Sequence, residues 1–176
     1  MTIGNSCVTK VLSVVLVLSC CQIYAEERNI RALMHWEGVG EIYTIGINQI
    51  LFQGVMEGIL YVETEEGELD GAFATCPISQ KINSETGKSV ATGHCEITIS
   101  SEDVVYASLD CEGQVGDCRG QFRLIEGTGR FKGVSGGSDL RIRSVLGALM
   151  KGMASGSVVR SGQGIAILSN LIVRTP

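Results

Sequence analysis

The sequence predicts an all-β fold, a single antiparallel barrel of roughly eight strands that follows an N-terminal export signal. Three observations carry this expectation. Apolar and polar residues alternate with a period of two in short runs along most of the chain, the pattern of strands with one buried face. Glycine is abundant, with 23 residues against only two prolines, and clusters with polar turn formers between those runs. The four cysteines beyond residue 25 stand where antiparallel hairpins would bring them together in pairs. Closure into a barrel also leaves no exposed strand edge.

Residues 1–25 read as the signal: Lys10 precedes the apolar run Val11 to Ser19, and Ile23-Tyr24-Ala25 ends just before Glu26-Glu27. That run is far shorter than the roughly 20 residues of a membrane-spanning helix, and no later stretch comes closer, so no transmembrane segment is expected. The expected location is secreted or periplasmic. The alternative is a lipid anchor on Cys20, with Leu18-Ser19-Cys20 as the lipidation box, which the leucine and the nearby Lys10 fit poorly. The remaining 151 residues, 26–176, suffice for one domain. Without Lys10 there are 13 basic and 19 acidic side chains, a formal charge of −6 that gives no reason to expect nucleic acid as a partner. Residues 26–118 hold 4 basic and 17 acidic groups, and residues 119–176 hold 9 basic and 2 acidic. The two parts are expected to pair across neighbouring strands rather than form a basic binding patch.

Along the chain, Ile30, Ala32, Met34 and Trp36 share one face of a first strand, with Arg31, His35 and Glu37 on the other. A second run, Val55 to Glu63, sets Met56, Leu60 and Val62 together and ends in the acidic turn Thr64-Glu65-Glu66-Gly67. A hairpin follows, turning at Asn83 to Lys88. Its register opposes residues whose numbers sum to 171, which sets Cys76 opposite Cys95. Ala72, Ala74, Cys76 and Ile78 then share the inner face with Ala91, Gly93, Cys95, Ile97 and Ile99. A second hairpin turns at Glu112 to Asp117, and pairing Cys111 with Cys118 there makes the sum 229. That register opposes Val105 to Leu124, Ala107 to Phe122 and Leu109 to Gly120 inside, and Asp110 to Arg119 and Tyr106 to Arg123 outside. The predicted disulfides are therefore Cys76 with Cys95 and Cys111 with Cys118. A metal site is not expected, since the spacings are long and His94 points away from Cys95.

Beyond Ile125, Glu126-Gly127-Thr128-Gly129 reads as a turn at positive φ, and a glycine-rich strand runs to Arg143, with Lys132 inside it. Val145 to Ala154 spaces Leu146, Leu149, Met150 and Met153 as one helical face weakened by glycines. Ser157 to Arg160 and Gly164 to Val173 close the chain as two β segments. The inner faces are rich in Ala and Gly, so facing large residues fill the interior or a ligand cavity remains, and both readings stay open. Met34, Trp36, Leu60, Ala74, Ala107 and Phe122 are the candidate lining residues.

The segment Gly127-Thr128-Gly129-Arg130-Phe131-Lys132-Gly133-Val134-Ser135-Gly136 resembles the hallmark stretch of the allene oxide cyclase and dirigent-protein barrels. Leu69-Asp70-Gly71-Ala72, Gly93-His94-Cys95, Cys111-Glu112-Gly113 and Asp117-Cys118-Arg119-Gly120-Gln121-Phe122 are similar in order and spacing to an exported, cysteine-bearing bacterial branch of that superfamily. The resemblance covers roughly residues 28–172 and implies an eight-stranded antiparallel barrel with an apolar interior. It does not carry the cyclase reaction, because no acid here aligns with the buried glutamate of the plant enzymes. Glu57 and Glu63 are expected to face outward.

No cofactor, no metal and no catalytic residue is predicted. The only histidines, His35 and His94, fall on polar faces, and a phosphate-cradling role for the glycine segment lacks a following helix. The leading expectation is a non-enzymatic exported barrel that binds a small hydrophobic molecule. The alternatives are an isomerase or cyclase acting on a hydrophobic substrate, which needs a titratable group in the cavity, and a purely structural or interaction barrel with a filled core. The sequence does not specify an oligomeric state.

Overall fold

The computed structural model describes residues 26–63, 69–145 and 158–176. The expected signal with Cys20, the turn at Thr64 to Gly67 and all but Val145 of the expected helical face lie outside the described residues. The chain forms eight strands: β1 (Glu26–Gly46), β2 (Gln49–Glu63), β3 (Leu69–Asn83), β4 (Lys88–Thr98), β5 (Val104–Gln114), β6 (Asp117–Gly127), β7 (Ser135–Ser144) and β8 (Val158–Thr175). A short 3₁₀ turn, Gly129–Phe131, stands between β6 and β7. Each strand pairs antiparallel with the next, and β8 pairs with β1 to close the barrel. The predicted fold class is the observed one.

Alternation explains why the sheet closes around one core. Even-numbered positions from Ala32 to Gly38 are buried, while Leu33, His35 and Glu37 are exposed. The first strand nevertheless runs ten residues beyond Trp36. Gly40 and Gly54 occupy inner positions where an added Cβ would lie 2.6 and 2.5 Å from the Phe52 ring, so these glycines let Phe52 lie flat inside the wall. The β1–β2 turn is Ile47-Asn48, with Asn48 at φ 56°, a conformation that asparagine tolerates. The two closing segments expected near the C-terminus are one strand. Its irregularity is absorbed by register shifts against β1, between Ile30 and Ala32 and between Gly38 and Gly40.

The β3–β4 register is the expected one, with Ile82 opposite Ser89 and Ala74 opposite Ile97. Cys76 is bonded to Cys95 with Cα atoms 4.1 Å apart. The β5–β6 register differs from expectation by two residues. Gln114 opposes Asp117, Cys111 opposes Gly120, Leu109 opposes Phe122 and Ala107 opposes Leu124. The reason is a tighter turn: only Val115 and Gly116 lie between the strands, with Gly116 at φ 91°, whereas a loop begun at Glu112 was expected. Val105 lies opposite Gly127 and Tyr106 opposite Glu126, beyond a register shift at Tyr106/Ala107. A slip of two preserves the face, so Cys111 and Cys118 still meet inside, as a diagonal pair with Cα atoms 5.6 Å apart.

Outside, the correction reassigns partners. Arg119 lies opposite Glu112 and Arg123 opposite Ser108, while Asp110 takes an ion pair from Arg123. The basic C-terminal part does pair with the acidic N-terminal part, through Arg141–Asp117 at 2.9 Å, Arg130–Asp103 at 3.0 Å and Arg174–Glu27 at 2.6 Å. In the glycine segment, Gly129 has positive φ (54°) but Gly127 does not. Gly127 is required by close approach instead, since a Cβ there would sit 2.7 Å from the Phe131 carbonyl oxygen. Lys132 follows the 3₁₀ turn and precedes β7, so it is not in a strand.

Candidate functional site: the open mouth of the barrel

The interior divides along its length. At one end the hairpin tips converge. Ser84 N–H donates to the Asn48 carbonyl at 2.9 Å, and Val115 N–H donates to the Gly87 carbonyl at 2.9 Å. Beneath these tips Ile42, Ile50, Phe52 and Ile82 form a separate apolar plug. Trp36 fills the adjoining section, its ring lying against Gly164, where a Cβ would be 2.5 Å away. Only a void of about 50 Å³ remains there, lined by Trp36, Met56, Gln80, Leu109 and Ser144 among others. Among the described residues the Trp36 Nε1–H has no hydrogen-bond partner.

The middle is packed. Met34, Ala74 and Ala107 belong to the main core together with the two disulfides, and Ala107 is 0% exposed. Of the six lining candidates, these three border neither space, Trp36 borders the small void, and Leu60 and Phe122 border the larger cavity. The choice between a filled and a hollow barrel thus has a positional answer: large side chains oppose the glycines at the plugged end, and space remains at the other.

That space is a cavity of about 570 Å³ at the end where β1 begins and β8 finishes. It falls within the roughly 300–1,000 Å³ of small-molecule pockets. Its walls come from inward positions of seven strands: Ile30, Leu60 and Val62, Ala72, Ile97, Val105, Phe122 and Leu124, and Leu171 and Val173. Phe131 and Val134 reach it from the connection after β6, which shows what the glycine segment does. Gly129 starts the 3₁₀ turn, and the Thr128 hydroxyl fixes it by donating to the Glu102 carbonyl at 2.6 Å and accepting from Val104 N–H at 3.0 Å. Phe131 N–H closes the turn on the Thr128 carbonyl at 2.9 Å, and the ring packs on the core. Phe131 thus returns to the core from the glycine turn, as expected of that turn, whereas the period-two reading missed Val134 as a wall residue, because it lies between strands rather than on a strand face.

Charge is confined to the rim. Glu26, Arg28, Glu63, Asp70 and Arg130 border the cavity. Glu26 binds Arg28 at 2.6 Å, Glu63 binds Arg31 at 2.8 Å, and Arg130 binds Asp103. Asp70 accepts from Gly71 N–H at 2.8 Å. Glu57 is exposed on the outer wall, as expected. Glu63 occupies an outward position too, yet at the strand end it forms part of the rim. His35 and His94 are both exposed on outer faces, and His35 borders a groove on the outside of the barrel. Among the described residues no group of three His, Cys, Asp or Glu is gathered as for a metal ion. Among them no helix is long and apolar enough to cross a membrane.

Comparison with known proteins adds no relative: no family model, no curated protein and no solved structure matches the chain.

Proposed function

We propose that the protein is an exported barrel that holds one small apolar molecule in its open mouth. The observation that carries this reading is the cavity of about 570 Å³ whose depth is walled by aliphatic and aromatic side chains and whose charges stand only at the entrance. An apolar molecule that displaces water from such walls gains about 25 cal/mol for each Å² buried. An isomerase would need a titratable group beside the bound molecule; the acids that border the cavity, among them Asp70 at an inward position opposite Val62, stand at the strand ends, and the aliphatic and aromatic walls beneath them favour holding over reaction. The two disulfides suit an oxidising compartment, and the Lys10 to Ala25 segment suits export to it, so we place the protein outside the cytoplasm. We also read the chain as an allene oxide cyclase and dirigent-like barrel, on the Gly127 to Gly136 segment and the strand count.

The test is a titration of the purified mature chain with the apolar reporter N-phenyl-1-naphthylamine, repeated on Ala72→Trp, which fills the cavity. Saturable enhancement of one reporter per chain, displaced by dodecanol and lost in the variant with an unchanged circular dichroism spectrum, is the expected result. Absence of saturable binding, or binding that the variant leaves intact, would overturn the reading.

A further inference from the structure

The charges around the mouth are unbalanced at one position. On β3 the parity that buries Ala72 and Ala74 continues towards the strand end to Asp70, which lies opposite Val62 on the inner face. Asp70 therefore stands one inward step above Ala72, about 7 Å along the strand, and borders the same cavity. Among the described residues its carboxylate forms no ion pair. It accepts one hydrogen bond there, from Gly71 N–H to Oδ1 at 2.8 Å.

The bases at the mouth are already engaged. Of the two arginines that border the cavity, Arg28 pairs with Glu26 at 2.6 Å and Arg130 pairs with Asp103 at 3.0 Å. The Arg130 backbone N–H donates to the same Asp103 carboxylate at 3.0 Å, and its guanidinium carbon lies 5.1 Å from the centre of the Phe131 ring. Glu63, the remaining acid of the rim, is matched by Arg31 at 2.8 Å. Each of these acids has a base of its own, and Asp70 does not. The sequence that joins β2 to β3, residues 64–68, contains Glu65, Glu66 and Glu68 and no base. A ligand carboxylate or phosphate would therefore meet arginines already held by acids and a carboxylate of its own sign, whereas a cation would meet its complement.

We infer, on the reading of this cavity as an apolar-ligand site, that the molecule held there carries one ammonium head on an apolar body, with the head at Asp70 and the body among Leu60, Ala72, Ile97 and Phe122. The Oδ2 atom of Asp70 accepts a charge-assisted hydrogen bond from the ammonium, and the body displaces water from the aliphatic walls beneath. The body sets the affinity and the head sets the selectivity. Asp70 is exposed, so the head contributes as a surface ion pair does, about five-fold in affinity.

Displacement of N-phenyl-1-naphthylamine from the mature chain at neutral pH tests this, with three competitors of equal chain length, each kept below the concentration at which it aggregates: dodecylamine, which is protonated there, dodecanol and dodecanoate. The wild type should bind dodecylamine about ten-fold or more tightly than dodecanoate. Asp70→Asn should weaken dodecylamine by about five-fold and leave dodecanol within about two-fold, and Asp70→Lys should turn the preference towards dodecanoate. Unchanged circular dichroism and thermal midpoint confirm that both variants are folded. If none of the three displaces the reporter, the apolar site itself is overturned and the ammonium head with it. Displacement by dodecanol with no advantage of dodecylamine over dodecanoate, or an advantage that survives intact in Asp70→Asn, would leave the apolar site standing and overturn the ammonium head.

Discussion

The same substitution placed at two inward alanines should have opposite effects if the interior is packed in the middle and open at the mouth. Ala72 and Ala107 are both inward and nearly inaccessible, at 7% and 0% exposure. Ala72 faces Leu60 across the ladder and borders the cavity of about 570 Å³. Ala107 stands between Cys95 on one neighbouring strand and Leu124 on the other, in the packed section. Leucine adds three carbons. At about 0.8 kcal/mol per buried carbon the ceiling at Ala72 is about 2.4 kcal/mol, and because the mouth is open to water about half of that, ~1 kcal/mol, is the expected gain. At Ala107 the added carbons have no space, and overpacking should cost about 1–3 kcal/mol. For a domain of this size 1 kcal/mol moves the melting temperature by about 2–4 °C. Ala72→Leu should therefore melt a few degrees above wild type, and Ala107→Leu several degrees below it, by calorimetry at one pH and salt concentration. Two variants destabilised alike would mean that the mouth is packed like the middle and would refute the division of the interior.

Two further expectations concern what holds the barrel together. The Cys76–Cys95 bridge spans a sequence separation of 19 and the Cys111–Cys118 bridge one of 7, so loop entropy alone assigns about 3 and about 2.5 kcal/mol to them. Urea unfolding of the paired alanine variants should show the larger loss for Cys76→Ala/Cys95→Ala, and the reverse order would show that packing rather than loop closure governs their contribution. The Arg141 guanidinium holds the Asp117 carboxyl below its ordinary range by hydrogen bonding to it. A lowered folded pKa contributes stability that is present above the unfolded value near 4 and is lost as pH falls through the folded one. Asp117→Asn should accordingly be less stable than wild type at pH 6, with the difference shrinking below about pH 4; a gap that stays constant down to pH 2 would rule out this linkage.

Face assignment was legible in the sequence because it depends only on parity. Every inward residue named on the two cysteine hairpins is inward in the structure, and with all four cysteines inside, the hairpin each pair belongs to joins Cys76 to Cys95 and Cys111 to Cys118. The first hairpin was also legible in register, since its turn residues Asn83 and Gly87 both act locally: the Asn83 side chain accepts from Glu85 and Thr86 N–H, and Gly87 takes a φ of 71°. The second hairpin was not. Gly113 and Gly116 both mark turn chemistry, and pairing the cysteines head-on chose the longer loop, whereas the chain turns at Gly116 and accepts a diagonal bridge. A two-residue slip leaves the alternation unchanged, so nothing in the apolar pattern could report it.

The same indifference of parity to height along the strand explains why the site itself was hidden. Small inward residues raise the question of a cavity, but its location depends on which end of the barrel Trp36 and Phe52 occupy relative to the alanines of other strands, and that requires every register around the circuit. Phe122 shows the consequence. Placed opposite Ala107 it would fill a gap in the middle layer. In the structure Phe122 stands opposite Leu109, two residues nearer the plugged end, and Leu124 takes the place beside Ala107; both still border the mouth cavity, which the expected register could not have located. An apolar band on the outer wall was hidden for the related reason that its members, two or three per strand, become one surface only when Leu33, Ile59, Tyr61 and Phe73 are brought into register across three strands. Inside and outside alike, composition along each strand sets which face a residue takes, and the stagger between strands decides whether neighbouring faces leave a pocket or build a surface.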